Sequence, residues 1–80
     1  TSISMLPNPA RDRLTVRHSK DGSLIMNIYD LSGRFVYQQT IPLGKMEMNI
    51  DISSLNGGHY FVKFIMNGKT VSINKLSVSR

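Results

Sequence analysis

Apolar side chains in this chain recur with period two, and that alternation constrains the fold more than any other feature. In an extended strand successive side chains point to opposite faces, so alternation puts one row in a core and the next in water. The stretch KMEMNIDI shows it cleanly: Met46, Met48, Ile50 and Ile52 point one way, Glu47, Asn49 and Asp51 the other. HYFVKFIM repeats it with Tyr60, Val62, Phe64 and Met66, although Phe61 and Ile65 make its second face apolar as well. That strand is predicted to be central or covered on both sides. The same reading gives seven strands, near Ser2 to Met5, Arg13 to His18, Ser23 to Tyr29, Arg34 to Ile41, Lys45 to Ile52, His59 to Met66 and Lys69 to Val78. No window supports a helix longer than a turn. Short strands separated by turn residues predict an all-β sandwich of two antiparallel sheets, with a small barrel as the alternative.

Register refines the expectation, because a slip of one residue sends every buried side chain to the wrong face. Asn67-Gly68 is the preferred pair for a two-residue type I′ turn and sets Phe64 opposite Val71 and Val62 opposite Ile73. A three-residue loop, Lys20-Asp21-Gly22 with Gly22 left-handed, would pair Met26 with Val16 and Ile28 with Leu14. The last strand changes phase near Asn74: a β-bulge there returns Leu76 to the core, and without one Lys75 falls opposite Tyr60 on the buried side. Met26, Met46, Met48 and Met66 fall on inward faces and Met5 at an exposed end, while Tyr29 and Tyr37 read as cross-strand packing partners.

Eighty residues bury only about 60% of the unfolded chain's surface, so one domain with one small core is expected and a deep substrate cleft is not. Absence of cysteine removes disulfides and thiolate chemistry. No apolar run approaches the ~20 residues of a membrane helix. The opening TSISMLPNP resembles no signal peptide and lacks an initial methionine, which suits a fragment from the end of a longer precursor. The net charge is +5, but the ten Lys and Arg residues are spread along the whole length, which argues against nucleic-acid binding.

Asp51, Ser53, Ser54 and His59 hold the ingredients of a hydrolytic triad within one stretch. No strained nucleophile turn of the GxSxG type accompanies them, and ISSLNGG reads as a polar turn. The two histidines, His18 and His59, stand in no ligand-spaced pair, read as surface or strand-end residues, and would need Asp21, Asp30, Glu47 or Asp51 to complete a zinc site. Neither catalysis nor a metal or cofactor is expected.

Four features in order resemble the type A C-terminal sorting domains of the type IX secretion system (the Por secretion signal). PNPARDRLTV at Pro7 to Val16 resembles the family's opening motif, with Pro7, Asn8 and Pro9 turning the chain. IYDLSGRFV at Ile28 to Val36 is similar to its central motif, carried by Tyr29, Asp30 and Gly33. LNGGHYFVKF resembles its L-x-x-G-x-Y-x-V strand through Leu55, Gly58 and Tyr60, and NKLSVSR resembles its basic, β-rich end. The prolines fix the backbone and withhold donors, so that stretch should turn the chain between sheets, and Gly33 and Gly58 should supply positive φ. Where the family often has adjacent lysines, this chain has Asn74-Lys75 and Ser79-Arg80.

The resemblance implies an immunoglobulin-like sandwich that directs a cargo protein across the outer membrane, passing through the periplasm to the cell surface or medium. Its implied partners are an outer-membrane translocon, a shuttle protein and a sortase-like peptidase that cuts upstream of the domain. Lys75, Leu76, Ser77, Val78, Ser79 and Arg80 would be the translocon's recognition element rather than a stabilising strand; because a broken register weakens a strand's share of the core, trimming Ser77 to Arg80 should cost only roughly 1–2 kcal/mol if Val78 is partly buried. Edge strands would permit a homodimer by strand pairing. The rival reading is a carbohydrate-binding or adhesive sandwich, against which stand the absence of tryptophan and the scatter of the five acids.

Overall fold

A computed structural model describes residues 3–19 and 22–80. Seven strands form: β1 (Ile3–Leu6), β2 (Arg13–His18), β3 (Leu24–Asp30), β4 (Phe35–Ile41), β5 (Glu47–Asp51), β6 (Gly58–Met66) and β7 (Lys69–Val78). They make a three-stranded sheet, β1-β2-β5, and a four-stranded sheet, β4-β3-β6-β7, with every neighbouring pair antiparallel. This is an immunoglobulin-like sandwich in which β4 lies beside β3. Alternation explains it: Leu14, Val16, Ile50 and Ile52 from one side and Leu24, Met26, Ile28, Val62, Phe64 and Leu76 from the other form one closed core. β6 is central in its sheet, as its two apolar faces predict.

Three register expectations need correction. First, β2 pairs with β1 and β5, not with β3, so Val16 faces Met5 and Met48 across the sheet rather than Met26. Apolar matching could not separate these arrangements, because strands lying side by side and strands in facing sheets both send their apolar rows into the same core. Lys20 and Asp21 of the expected loop, like Ser2 of the first strand, lie outside the described residues.

Second, the Asn67-Gly68 turn forms with positive φ at both positions (54° and 77°), as a type I′ turn requires. A bulge then shifts the hairpin between Phe64 and Ile65, leaving Val71 unpaired and setting Phe64 opposite Ser72. The phase change therefore occurs next to the turn rather than near Asn74. Val71 and Ile73 turn outward, Leu76 lies buried opposite Tyr60, and Lys75 sits opposite Phe61 on the outer face. Third, the methionines divide differently. Met5 is buried beside β2, whereas Met46 precedes β5 and is 48% exposed, because a turn closed by Lys45 N–H to the Pro42 carbonyl (3.1 Å) delays the strand.

The proline segment also behaves differently from expectation. It joins β1 to β2 within one sheet instead of crossing between sheets, and on the way it lies against the last strand of the other sheet.

Candidate functional site

The opening motif and the last strand form one unit. Asn8 Nδ2 donates to the Lys75 carbonyl (3.1 Å), and Ser77 N–H donates to Asn8 Oδ1 (3.0 Å). One side chain thereby satisfies a donor and an acceptor on the free edge of β7, as a neighbouring strand would. Two residues on, Ala10 N–H donates to the Ser77 carbonyl (2.8 Å) and Ser79 N–H to the Ala10 carbonyl (2.7 Å), forming a parallel bridge between Ala10 and Val78. Ala10 is fully buried there, while Pro7 and Pro9 remain exposed. Proline has no N–H, so the segment cannot extend into a full strand and the pairing stays limited to this stretch.

Arg80 completes the unit. Its guanidinium donates to the Asp12 carboxylate (2.6 Å) and the Ile52 carbonyl (2.7 Å), and its Nε to the Leu55 carbonyl (3.0 Å). These bonds tie the end of β7 to the β5–β6 loop and to the loop before β2. A Cβ on Gly57 would meet the Arg80 side chain at 3.1 Å, so that glycine gives the arginine its seat. Leu55 is buried beneath the loop, and Tyr60 donates its hydroxyl to the Asn56 carbonyl (2.6 Å), a tyrosine-corner contact that pins the loop to β6. Gly58 opens β6 at a φ of 147°.

The central motif is a closed turn between β3 and β4. Asp30 Oδ1 accepts from Ser32 N–H (2.9 Å), the Ser32 hydroxyl (2.6 Å) and Arg34 N–H (3.0 Å), and the Arg34 guanidinium lies 3.3 Å from Oδ2. The Ser32 hydroxyl and then the Arg34 amide hold this carboxyl below its ordinary range, while partial burial opposes them. Gly33 takes the positive φ (90°) that closes the turn. Tyr29 packs edge-on against Phe35 at 5.9 Å, with Lys63 Nζ 5.6 Å from its ring centre.

The enzyme-like stretch is distributed over separate contacts. Asp51 accepts from Ser53 N–H (2.9 Å), and the Ser53 hydroxyl is the main cause of its lowered pKa. His59 instead meets Ser77 Oγ across the β6–β7 pair (3.0 Å). His18 is buried at the end of β2 rather than on the surface, with Nε2 2.8 Å from the Lys45 carbonyl. Among the described residues no three His, Asp or Glu side chains gather as a metal site would require. Asp21, one ligand considered from the sequence, lies outside those residues.

The nine motif residues thus act in turns, caps and packing, and the structure brings the opening and closing motifs into direct contact. Sequence reasoning missed Ala10, Asp12, Ser32 and Gly57. Asp-Leu-Ser-Gly carried a legible signal for the Asp30 turn, since aspartate two residues before a polar N–H commonly caps it. Asp12 and Ala10 carried none, because their partners lie more than 65 residues away.

No curated protein matches the chain. A family model described as the secretion system C-terminal sorting domain matches residues 4–79, which cover the first three motifs and all of the fourth except Arg80. Domains of this kind are typically non-catalytic and send their carriers to the cell surface or out of the cell. With its motifs assembled in a seven-stranded sandwich, the chain belongs to the family of type IX secretion system C-terminal sorting domains.

Proposed function

We propose that this domain ends a larger cargo protein and is the signal by which the outer-membrane translocon and its shuttle protein select that cargo from the periplasm. A sortase-like peptidase then cuts upstream of the domain, releasing the cargo at the surface or into the medium. The segment Lys75 to Arg80 is the recognition element in this reading. The observation that carries it is the mutual contact of the opening and closing motifs: Asn8 and Ala10 hold the segment's backbone extended, leaving Lys75 and Ser79 exposed. A receptor would then meet a rigid ribbon whose ordering cost has been met by folding.

The test is to fuse the domain to a reporter in a bacterium with the type IX system and measure reporter location alongside domain melting. Surface or medium delivery that requires the domain supports the reading, as does mass-spectrometric detection of delivered reporter cut upstream of the domain. Lys75→Ala should reduce delivery without lowering the melting temperature appreciably. Delivery independent of the domain would refute the sorting role. Among the described residues β1, β4 and β5 are also edge strands, and a homodimer formed by pairing along one of them would show as concentration-dependent light scattering.

A further inference from the structure

The outward side chains of the four-stranded sheet align in rows across β4, β3, β6 and β7. One row runs Phe35, Tyr29, Phe61, Lys75; the next runs Gln38, Asn27, Lys63, Ile73; the third runs Thr40, Ile25, Ile65, Thr70. Phe35 is 52% exposed and Ile73 62% exposed, and Ile25 and Phe61 are also in water. None of the twelve residues is acidic, and neither lysine forms an ion pair among the described residues. Half of the twelve are aromatic or branched aliphatic, four are uncharged polar residues, and the only charges are the two lysines, so the face is positively charged with a large apolar share. At its end a groove beside Leu31, His59 and Ser77 runs into the proposed recognition segment.

We infer that this face docks onto an apolar, acidic surface of a protein in the secretion machinery, an inference that rests on the sorting role proposed above. Charge complementarity selects that occupant. A second copy meeting the same face about a twofold axis would press two lysines from each copy into a surface with no carboxylate among its rows to receive them. Recognition of an anionic bilayer typically takes a cluster of 4–8 basic residues, and this face offers two lysines beside rings and branched aliphatics. Aromatic residues flanked by a few charges are characteristic of a protein interface. Gln38 Nε2 donates to Asn27 Oδ1 (2.9 Å) and Lys63 lies over Tyr29, so the rows are already fixed before a partner arrives.

The test uses substitutions outside Lys75 to Arg80, so that it reads the face and not the segment. Phe61→Ser and the double variant Lys63→Glu/Ile73→Ser are carried on the reporter fusion, with Arg13→Glu/Arg17→Glu on the other sheet as a control. Melting of each isolated domain, light scattering and co-sedimentation with phosphatidylglycerol vesicles accompany delivery. The inference expects reporter delivery to fall about tenfold or more for the face variants while they still melt cooperatively and the control delivers normally. Normal delivery by the face variants, with Lys75→Ala impaired, would overturn the face and leave the sorting role standing. An unmodified domain that fails to deliver the reporter would overturn both. Equal loss from the control would show a general charge effect and overturn the face assignment. A dimer or vesicle complex abolished by the face substitutions, with delivery intact, would give the face to a second copy or to lipid instead. Should Phe61→Ser fail to fold, the double variant alone decides, since Lys63 and Ile73 leave the core untouched.

Discussion

The two sheets of this sandwich share a core and differ on their outer faces. On the three-stranded sheet the outward residues of β2 and β5 are polar and matched: Arg17 bonds Glu47 directly opposite, Thr15 Oγ1 donates to Asn49 Oδ1 (2.6 Å), and Arg13 lies across from Asp51. On the four-stranded sheet half of the corresponding positions carry rings or aliphatic chains, the rest being Asn27, Gln38, Thr40, Thr70 and two lysines, with no acid. Folding gains nothing from apolar side chains left in water, and exposed apolar patches invite association. Apart from Leu6 of β1, which is exposed beside Thr15, the first face is what a solvated sheet needs, whereas the second is explained by a surface still to be covered. A domain this small can separate the two tasks because each sheet contributes only one face to the core.

The largest effect is expected where the last strand joins the two sheets. Deleting Ser77 to Arg80 removes Val78, which is 4% exposed, the Ser77 bond to Asn8, the Ala10 bridge, and the Arg80 bonds to Asp12, Ile52 and Leu55. Val78 burial and the lost bonds together are on the order of 4 kcal/mol. A core of this size supplies only roughly 3–5 kcal/mol. The contacts of Val78, Ser77, Ser79 and Arg80 therefore predict a costlier truncation than the sequence alone suggested. The shortened domain should lose its cooperative melting transition, and both faces with it. Cooperative melting within a few degrees of the full domain would show that β7 is held by its hairpin alone.

A smaller effect is expected from Asn8→Ala, which removes both side-chain bonds to β7 while leaving the Ala10 bridge. Water can replace these bonds at an exposed edge, so about 1 kcal/mol is expected by chemical denaturation. The loss should appear as faster amide exchange at Ser77, on the four-stranded sheet, with the three-stranded sheet unaffected. Equal loosening of both sheets would mean that the opening motif supports the core as a whole.

Much of this was legible in the sequence and some of it could not be. Seven strands, the Asn67-Gly68 turn and the inward faces of β3 and β6 follow from local alternation and turn chemistry. The partner of β2 did not, because periodicity shows which side of a strand is buried but not which strand lies beside it. The bulge at Val71 was visible only as a phase conflict between Val71 and Leu76; its position depends on the outer face, where Val71 and Ile73 are tolerated in water. The motif residues were found through family resemblance. Their contacts, above all Arg80 with Asp12 and Asn8 with Ser77, join chain ends whose separation no local pattern encodes.

Acid should loosen both sheets through one carboxylate each. Asp30 and Asp51 both have folded pKa values below the ordinary carboxylate range, owing first to the hydroxyls of Ser32 and Ser53. A depressed folded pKa gives stability that is present above the unfolded value, near 3.8, and lost as pH falls through the folded value. The unmodified domain should therefore lose stability progressively below about pH 4. Asp30→Asn and Asp51→Asn should each flatten that decline, the first by affecting the β3–β4 hairpin and the second the end of β5. An unchanged acid limb in both variants would place the pH dependence elsewhere.

The smallest effect belongs to the best-looking ion pair. Arg17 and Glu47 bond across the outer face of the three-stranded sheet, yet both side chains are more than half exposed (62% and 54%). In that setting the Coulomb gain is weakened by water and salt and offset by the lost freedom of two long side chains, so such pairs contribute about 0–1 kcal/mol. A double-mutant cycle with Arg17→Ala and Glu47→Ala should give a coupling in the lower half of that range, shrinking further in 1 M salt. Reporter delivery should be unchanged in all three variants, since this face is already matched within the domain. A delivery defect in a variant that melts normally would mean that the polar face also meets the secretion machinery, and the division of labour between the two sheets would no longer hold.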